Sequence, residues 1–256
     1  MKSLRSSAVV VALVITFVLG NSSSAQGEVT LIAPGGIRAA IAQLIPGFER
    51  KTGHKVKATY GSGGGTKQRV VRGEAFDVPI VQPPYPEVLA SGNVVASSAT
   101  PLASAAVGVA VRQGAPKPDI STPEAVKRML LAANSISYPN AARGAAAGVS
   151  FNETLKQLGI AEQMQPKLKP AQGGAGAMAG VAKGEVEIGL TFLSEMREPG
   201  IAVVGPLPRE ISTPTRLVGF VSSHAKDPAA AQSLLDYLSS PDAAAVYTAQ
   251  RMQPGR

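Results

Sequence analysis

Short apolar runs alternate along the chain with stretches in which apolar residues recur every three or four positions. The first kind predicts strands and the second predicts helices with one apolar face. Glu28 to Ala33 (EVTLIA) predicts a strand, and apolar spacing from Ile37 to Phe48 predicts a helix. Further strands are predicted at 55–60, 78–81, 105–111, 135–138, 168–171, 186–192, 201–204 and 216–222. Further helices are predicted at 66–72, 87–90, 149–158 and 177–182, with others beginning near residues 122, 227 and 241.

This order of elements predicts an α/β fold, because strands that alternate with helices form parallel sheets covered by those helices. No internal repeat and no long linker interrupts the alternation. The expected domain boundaries lie near Thr100-Pro101 and near Gly205-Pro206.

The first 25 residues form a separate segment. Lys2 and Arg5 precede an apolar run from Ala8 to Gly20, and Asn21 to Ala25 is small and polar. This order predicts a secretory signal peptide that is cut after Ala25. A membrane anchor is the alternative, but the run is shorter than the ~20 residues that span a bilayer. The mature chain is therefore expected in the periplasm.

Composition narrows the chemistry that the chain can perform. Its 256 residues include no cysteine and only two histidines, His54 and His224. A disulfide framework, a thiolate metal site and a cysteine nucleophile are therefore excluded. No metal-ligand spacing or cofactor motif is present, so neither a metal nor a cofactor is predicted. The net charge of +8 suits anionic ligands, while 4% aromatic residues and no dense basic stripe argue against nucleic acid.

Four junctions between a predicted strand and the following helix are rich in small residues. They are Pro34–Gly36, Gly61–Gly65, Ala145–Gly148 and Gly173–Gly176. Ligands of open α/β sheets bind at the carboxyl ends of strands, where helix N-termini present free N–H groups. Any one such loop is more simply a turn, but four that face one cleft predict an anion site without catalytic residues. Arg143, just before the third junction, is either a partner for that anion or a solvated side chain.

The mature chain resembles the periplasmic molybdate-binding proteins of ABC importers over essentially its whole length. The matching stretches, in order, are VTLIAPGGIRAAIAQLIPGFERKTGHKV, YGSGGGTKQRVVRGEAFDV, AAGVSFNETLKQLGI, KGEVEIGLTF and DPAAAQSLLDYLSSPDAA. The resemblance implies two lobes, each a mostly parallel sheet with helices on both faces, and a ligand cleft between them. The lobes would be 27–103 plus 205–256 and 104–204. It also implies a small anionic ligand, an ABC permease as partner and a monomeric protein.

The family's site uses two serine hydroxyls, backbone N–H groups of the second lobe and a tyrosine hydroxyl. The serine positions fall on Gly36 and Gly63, the N–H positions on Ala147 and Gly174, and the tyrosine on Phe192. All three side-chain hydroxyls are therefore missing from this chain. Each lost hydrogen bond to an anion costs roughly 1.5–3 kcal/mol.

This departure predicts a wider, partly apolar cleft that favours a larger, partly organic anion. Ser62, beside Gly63, is the alternative source of a hydroxyl for an oxyanion such as molybdate. The residues expected to contact the ligand are Gly35, Gly36, Ser62, Gly63, Arg143, Ala147, Gly148, Gly174 and Phe192.

Three functions follow from these resemblances. The first is a solute-binding protein that closes on an anion and delivers it to a permease. The second is an enzyme, because the chain also resembles exported aconitate isomerases, which would need a general base; Glu74, Asp77 and Glu195 are the candidates. The third is a phosphate binder, since GSGGGTKQ resembles the glycine loop of phosphate-binding proteins. A carboxylate, lysine or tyrosine within reach of the ligand would favour the enzyme.

Overall fold

The computed structural model describes residues 27–255, and the predicted signal peptide lies outside them. The strands are β1 (Glu28–Pro34), β2 (Lys55–Gly61), β3 (Val78–Val81), β4 (Thr100–Ala105), β5 (Val107–Arg112), β6 (Ile136–Pro139), β7 (Leu168–Ala171), β8 (Ile188–Phe192), β9 (Ile201–Pro206), β10 (Thr215–Gly219) and β11 (Gln253–Pro254). The helices are α1 (Arg38–Thr52), α2 (Gly63–Val71), α3 (Pro86–Ala90), α4 (Pro123–Ala132), α5 (Ala146–Gln157), α6 (Ala161–Met164), α7 (Gly173–Ala182), α8 (Pro228–Leu238) and α9 (Pro241–Ala249).

The strands form two sheets, and we call the sheets with their helices lobe 1 and lobe 2. The lobe 1 sheet has the order β11-β4-β10-β3-β1-β2, and the lobe 2 sheet has the order β7-β6-β8-β5-β9. In lobe 1, β1 is parallel to β2 and β3, whereas β10 is antiparallel to β3 and β4. In lobe 2, β6 is parallel to β7 and β8, whereas β5 is antiparallel to β8 and β9. The predicted two-lobed α/β fold is confirmed.

The sheets are mixed rather than mostly parallel, because some strands carry the chain between lobes. The strand predicted at 105–111 corresponds to β5. It is preceded by β4, which was not predicted; only Ala106 separates the two strands, and they belong to different sheets. Such strands enter a sheet from the other lobe instead of through a helical crossover, so they are free to run antiparallel. The predicted division at 103/104 and 204/205 stays a prediction; the sheet changes at Ala106 and between β9 and β10.

Both faces of the lobe 1 sheet are buried. Leu31 and Ala33 of β1 face the main core, and Ile32 between them faces a second cluster with Val70 of α2 and Val88 of α3. This is the two-residue alternation of a strand covered on both sides. In the described part of the chain, no helix has the length and apolarity needed to cross a membrane.

Candidate functional site

A cavity of about 460 Å³ lies between the lobes at the carboxyl ends of their parallel strands. Residues from all four predicted small-residue junctions line it: Pro34–Gly36 and Gly61–Gly63 from lobe 1, and Ala145–Ala147 and Gly173–Gly174 from lobe 2. Each of these junctions leads directly into a helix or a short 3-10 turn. Helix N-termini carry unpaired N–H groups and the positive end of the helix dipole, so the cavity is suited to an anion.

Most of the residues predicted to contact a ligand line this cavity. They are Gly35, Gly36, Ser62, Gly63, Arg143, Ala147, Gly174 and Phe192. Gly148 does not, since its role is packing: a Cβ atom there would lie 1.9 Å from the carbonyl oxygen of Pro139. The glycine lets the first turn of α5 approach the end of β6.

Ser62 serves first as the N-cap of α2, because its Oγ accepts a hydrogen bond from the Gly65 N–H at 3.1 Å. The hydroxyl hydrogen is not used in that bond. Ser62 can therefore donate to an oxygen in the cavity while it caps the helix.

At Gly36 and Gly63, where the resemblance to molybdate-binding proteins places two serines, side chains from other segments of this protein fill the space of the missing serine side chains. A Cβ atom at Gly36 would lie 2.8 Å from Cδ2 of Phe192, and one at Gly63 would lie 2.0 Å from Oε1 of Gln82. The space of each missing serine is thus filled, once by an apolar ring and once by a carboxamide. Sequence reasoning missed Gln82, although a polar residue directly after the buried strand β3 was a usable signal.

Two arginines from opposite lobes line the cavity. Arg38 begins α1, and its guanidinium lies 4.8 Å from the centre of the Tyr60 ring. Arg143 lies in the short 3-10 turn before α5. Both are exposed, and neither pairs with a carboxylate among residues 27–255. Sequence reasoning did not place Arg38 or Tyr60 at the site, because their distance from the glycine loops depends on tertiary packing.

Among residues 27–255, one carboxyl group lines the cavity, that of Glu195. Its Oε2 accepts a hydrogen bond from Thr191 Oγ1 at 2.5 Å. A Cβ atom at Gly174 would lie 2.5 Å from Oε2, and one at Gly35 would lie 3.5 Å from Oε1, so the carboxyl sits between loops of the two lobes. Burial raises the pKa of Glu195 above its ordinary value of 4.5, and the hydrogen bond from Thr191 offsets part of that rise.

The other two candidate bases lie outside the cavity. Glu74 accepts hydrogen bonds from Arg69 at 2.6 Å and Arg72 at 2.9 Å on the protein surface. Asp77 is buried and accepts bonds from the Thr30 N–H and hydroxyl and from the Lys226 N–H, which ties β1 to two loops. Both carboxylates are structural, so Glu195 is the one of the three that can reach a ligand.

The lobes touch each other around the cavity. The Gly64 N–H of lobe 1 donates to the Gly144 carbonyl of lobe 2 at 3.0 Å. The Ser194 hydroxyl of lobe 2 donates to the Gly36 carbonyl of lobe 1 at 2.7 Å. The structure is therefore closed over the site.

Comparisons with known proteins agree with this architecture. The model of a family described as "Bacterial extracellular solute-binding protein" matches residues 29–252. An aconitate isomerase from Pseudomonas sp. is 36% identical over 235 residues, which are 88% of this chain and 87% of that protein. The molybdate-binding protein ModA of Azotobacter vinelandii is 31% identical over 228 residues, 87% of this chain and 88% of that one.

Among solved structures, the Azotobacter vinelandii periplasmic molybdate-binding protein superposes with a TM-score of 0.72 at 20% identity, covering 88% of this chain and 98% of that chain. The resemblance to molybdate-binding proteins is thus confirmed. With the family model matched across both lobes, the chain belongs to the bacterial extracellular solute-binding proteins.

Proposed function

We propose that the protein captures an organic anion bearing carboxylates in the interlobe cleft and delivers it, in the periplasm, to an ABC permease. One observation carries this proposal. Phe192 and Gln82 take the space of the hydroxyl groups that would bind an oxyanion, while the helix N-termini that attract an anion still line the cavity. An apolar wall suits a carbon skeleton, whereas the N–H groups and arginines suit its charged ends. At about 460 Å³ the cavity is within the range of small-molecule sites.

A ligand panel tests this proposal. Thermal unfolding of the chain without its predicted signal peptide is compared with citrate, cis-aconitate, trans-aconitate, molybdate, tungstate, sulfate and phosphate. We expect the tricarboxylates to raise the unfolding temperature, because a ligand at a hundred times its Kd adds about 2.7 kcal/mol of stability.

The variant Arg143→Leu should lose most of that stabilisation. Arg128→Leu, an exposed arginine of α4 outside the cavity, is the matched control and should keep it. Stabilisation by molybdate or tungstate alone would overturn the organic-anion proposal and restore an oxyanion site served by Ser62.

A second candidate function is favoured by Glu195. Glu195 is a carboxyl group at the cavity whose pKa burial raises above its ordinary value, and such a group can act as a general base and then as a general acid. In an unsaturated tricarboxylate it would take a proton from the CH₂ carbon, the double bond would shift, and the same proton would return to the far carbon of the allylic system. The 36% identical aconitate isomerase supports this reading of the site.

Incubation of each aconitate isomer in D₂O, followed by NMR, tests the isomerase candidate. We expect interconversion by the wild type and its loss in Glu195→Gln, with ligand-induced stabilisation retained. Glu74→Gln, a surface carboxyl outside the cavity, should convert at the wild-type rate. Binding of the aconitates without any interconversion would reject the enzyme and leave the solute-binding function.

A further inference from the structure

Two polar side chains of the cavity have buried atoms without a hydrogen-bond partner. They are the hydroxyl of Tyr60 and Nε2 of Gln82, and both residues line the cavity. Gln82 is only 4% exposed. Other buried polar atoms without a partner in the described chain, such as Ser212 Oγ, belong to residues outside this cavity.

An unpartnered buried donor lowers the folding stability, because it has lost its hydrogen bonds to water without gaining any in the protein. Proteins satisfy nearly all such groups, so exceptions indicate a missing partner. Burial raises the pKa of Tyr60, and the nearby Arg38 offsets part of that rise, so the phenol stays protonated and remains a donor at neutral pH. Both groups can therefore donate only to something that enters the cavity.

Their positions suit two oxygens of one ligand. Tyr60 is the penultimate residue of β2 and Gln82 directly follows β3, and these strands flank β1 on either side in the lobe 1 sheet. The two donors thus approach the cavity from both sides of the Pro34–Gly36 turn. Arg38, stacked on the Tyr60 ring, adds a positive charge beside one of them.

We propose that Tyr60 and Gln82 are specificity-determining residues, each of which donates a hydrogen bond to a carboxylate oxygen of the organic anion. This inference rests on the proposed function and names the lobe 1 groups that recognise its ligand. A donor that has no partner in the ligand-free protein forms its hydrogen bond only when the ligand is bound. Such a donor therefore stabilises the complex and not the ligand-free fold.

The test compares Gln82→Leu and Tyr60→Phe with Ser212→Ala, which also removes an unpartnered buried group but lies outside the cavity. Unfolding temperatures are measured without ligand, and Kd values for citrate and trans-aconitate are measured by calorimetry. We expect all three variants to unfold at or above the wild-type temperature. Only the two cavity variants should bind more weakly, by roughly 10- to 100-fold, as expected for hydrogen bonds to a charged group.

Unchanged Kd values in both cavity variants, with the wild type binding normally, would overturn the inference and leave the proposed function intact. Lower unfolding temperatures without ligand would also overturn it, because they would mean that these groups support the fold. A wild type that binds neither tricarboxylate would instead overturn the proposed function itself.

Discussion

At the scale of single residues, three glycines of the cleft make room for side chains that come from other segments of the chain. Gly36 accommodates the Phe192 ring, Gly63 accommodates the Gln82 carboxamide, and in the same way Gly174 leaves room for a carboxyl group, that of Glu195. The sequence indicates that hydroxyls are missing and predicts a wider cleft. The structure shows that much of this space is taken by side chains of other segments, so the chemistry of the site is replaced as well as its volume.

The pH dependence of stability offers a test at Glu195. Because burial raises its pKa above 4.5 in the folded protein, folding favours the protonated form and penalises the charged one. We expect the unfolding free energy of the ligand-free protein to fall as the pH rises from 4.5 through the raised pKa. Glu195→Gln should flatten this profile, measured by urea unfolding between pH 4.5 and neutrality.

Glu74→Gln is the control, because the pKa of Glu74 is shifted in the opposite direction from that of Glu195. Hydrogen bonds from Arg69 and Arg72 lower the pKa of Glu74, so its contribution is present above 4.5 and is lost as the pH falls through the lowered value. Its removal should leave the profile above pH 4.5 unchanged in shape. Parallel profiles of wild type and Glu195→Gln would contradict the assignment of a raised pKa.

At the scale of elements, helix α2 shows a conflict between local preference and position. It begins Gly63-Gly64-Gly65, and each interior glycine costs a helix up to about 1 kcal/mol relative to alanine. The Ser62 cap and packing of Val70 in the core compensate for this cost. Glycines in a first turn let another chain segment approach the backbone closely, and here lobe 2 does so.

The accuracy of the predicted elements depended on how local their signals are. Strands β2 and β3 are confirmed within one residue, because each is an extended run with clear turn residues after it. Strand β4 was missed, because its sequence TPLASA has little apolar pattern and pairs with β10 and β11, which are remote in the chain. Pairing of remote strands stabilises β4 without a strong local signal.

At the scale of the whole molecule, closure brings the backbones of two glycines into contact. Gly64 and Gly144 form one of the interlobe hydrogen bonds, and the Gly144 Cα lies 3.2 Å from the place of a Cβ on Gly64. This distance is shorter than an ordinary van der Waals contact, so a side chain at residue 64 would push the closed lobes apart by a few tenths of an ångström. Gly64 has helical backbone geometry, so alanine is tolerated there by α2 itself.

Gly64→Ala therefore separates closure from folding. We expect unfolding without ligand at or above the wild-type temperature, since alanine favours the helix. We expect Kd for citrate to rise about tenfold, since overpacking of more than 1 kcal/mol would act only on the closed state. Calorimetry gives Kd, and small-angle scattering with and without citrate reports closure.

The matched control is Gly176→Ala in α7, where the added Cβ would meet its nearest neighbour at an ordinary 3.7 Å. It should share the gain in helix stability and keep the wild-type Kd. A Gly64→Ala protein that binds citrate as tightly as the control would show that this glycine contact does not limit closure.

The sequence by itself determined the α/β class, most elements and the four helix starts that line the cleft, because periodicity, glycine breaks and capping residues act within a few positions. Only the tertiary structure decided which side chains face the ligand. Glu195 differs from Glu74 and Asp77 by its place between two lobes, and Arg38, Tyr60 and Gln82 enter the site because remote strands end at one edge. Burial, pKa and unsatisfied hydrogen bonds are properties of those long-range contacts, and no local pattern encodes them.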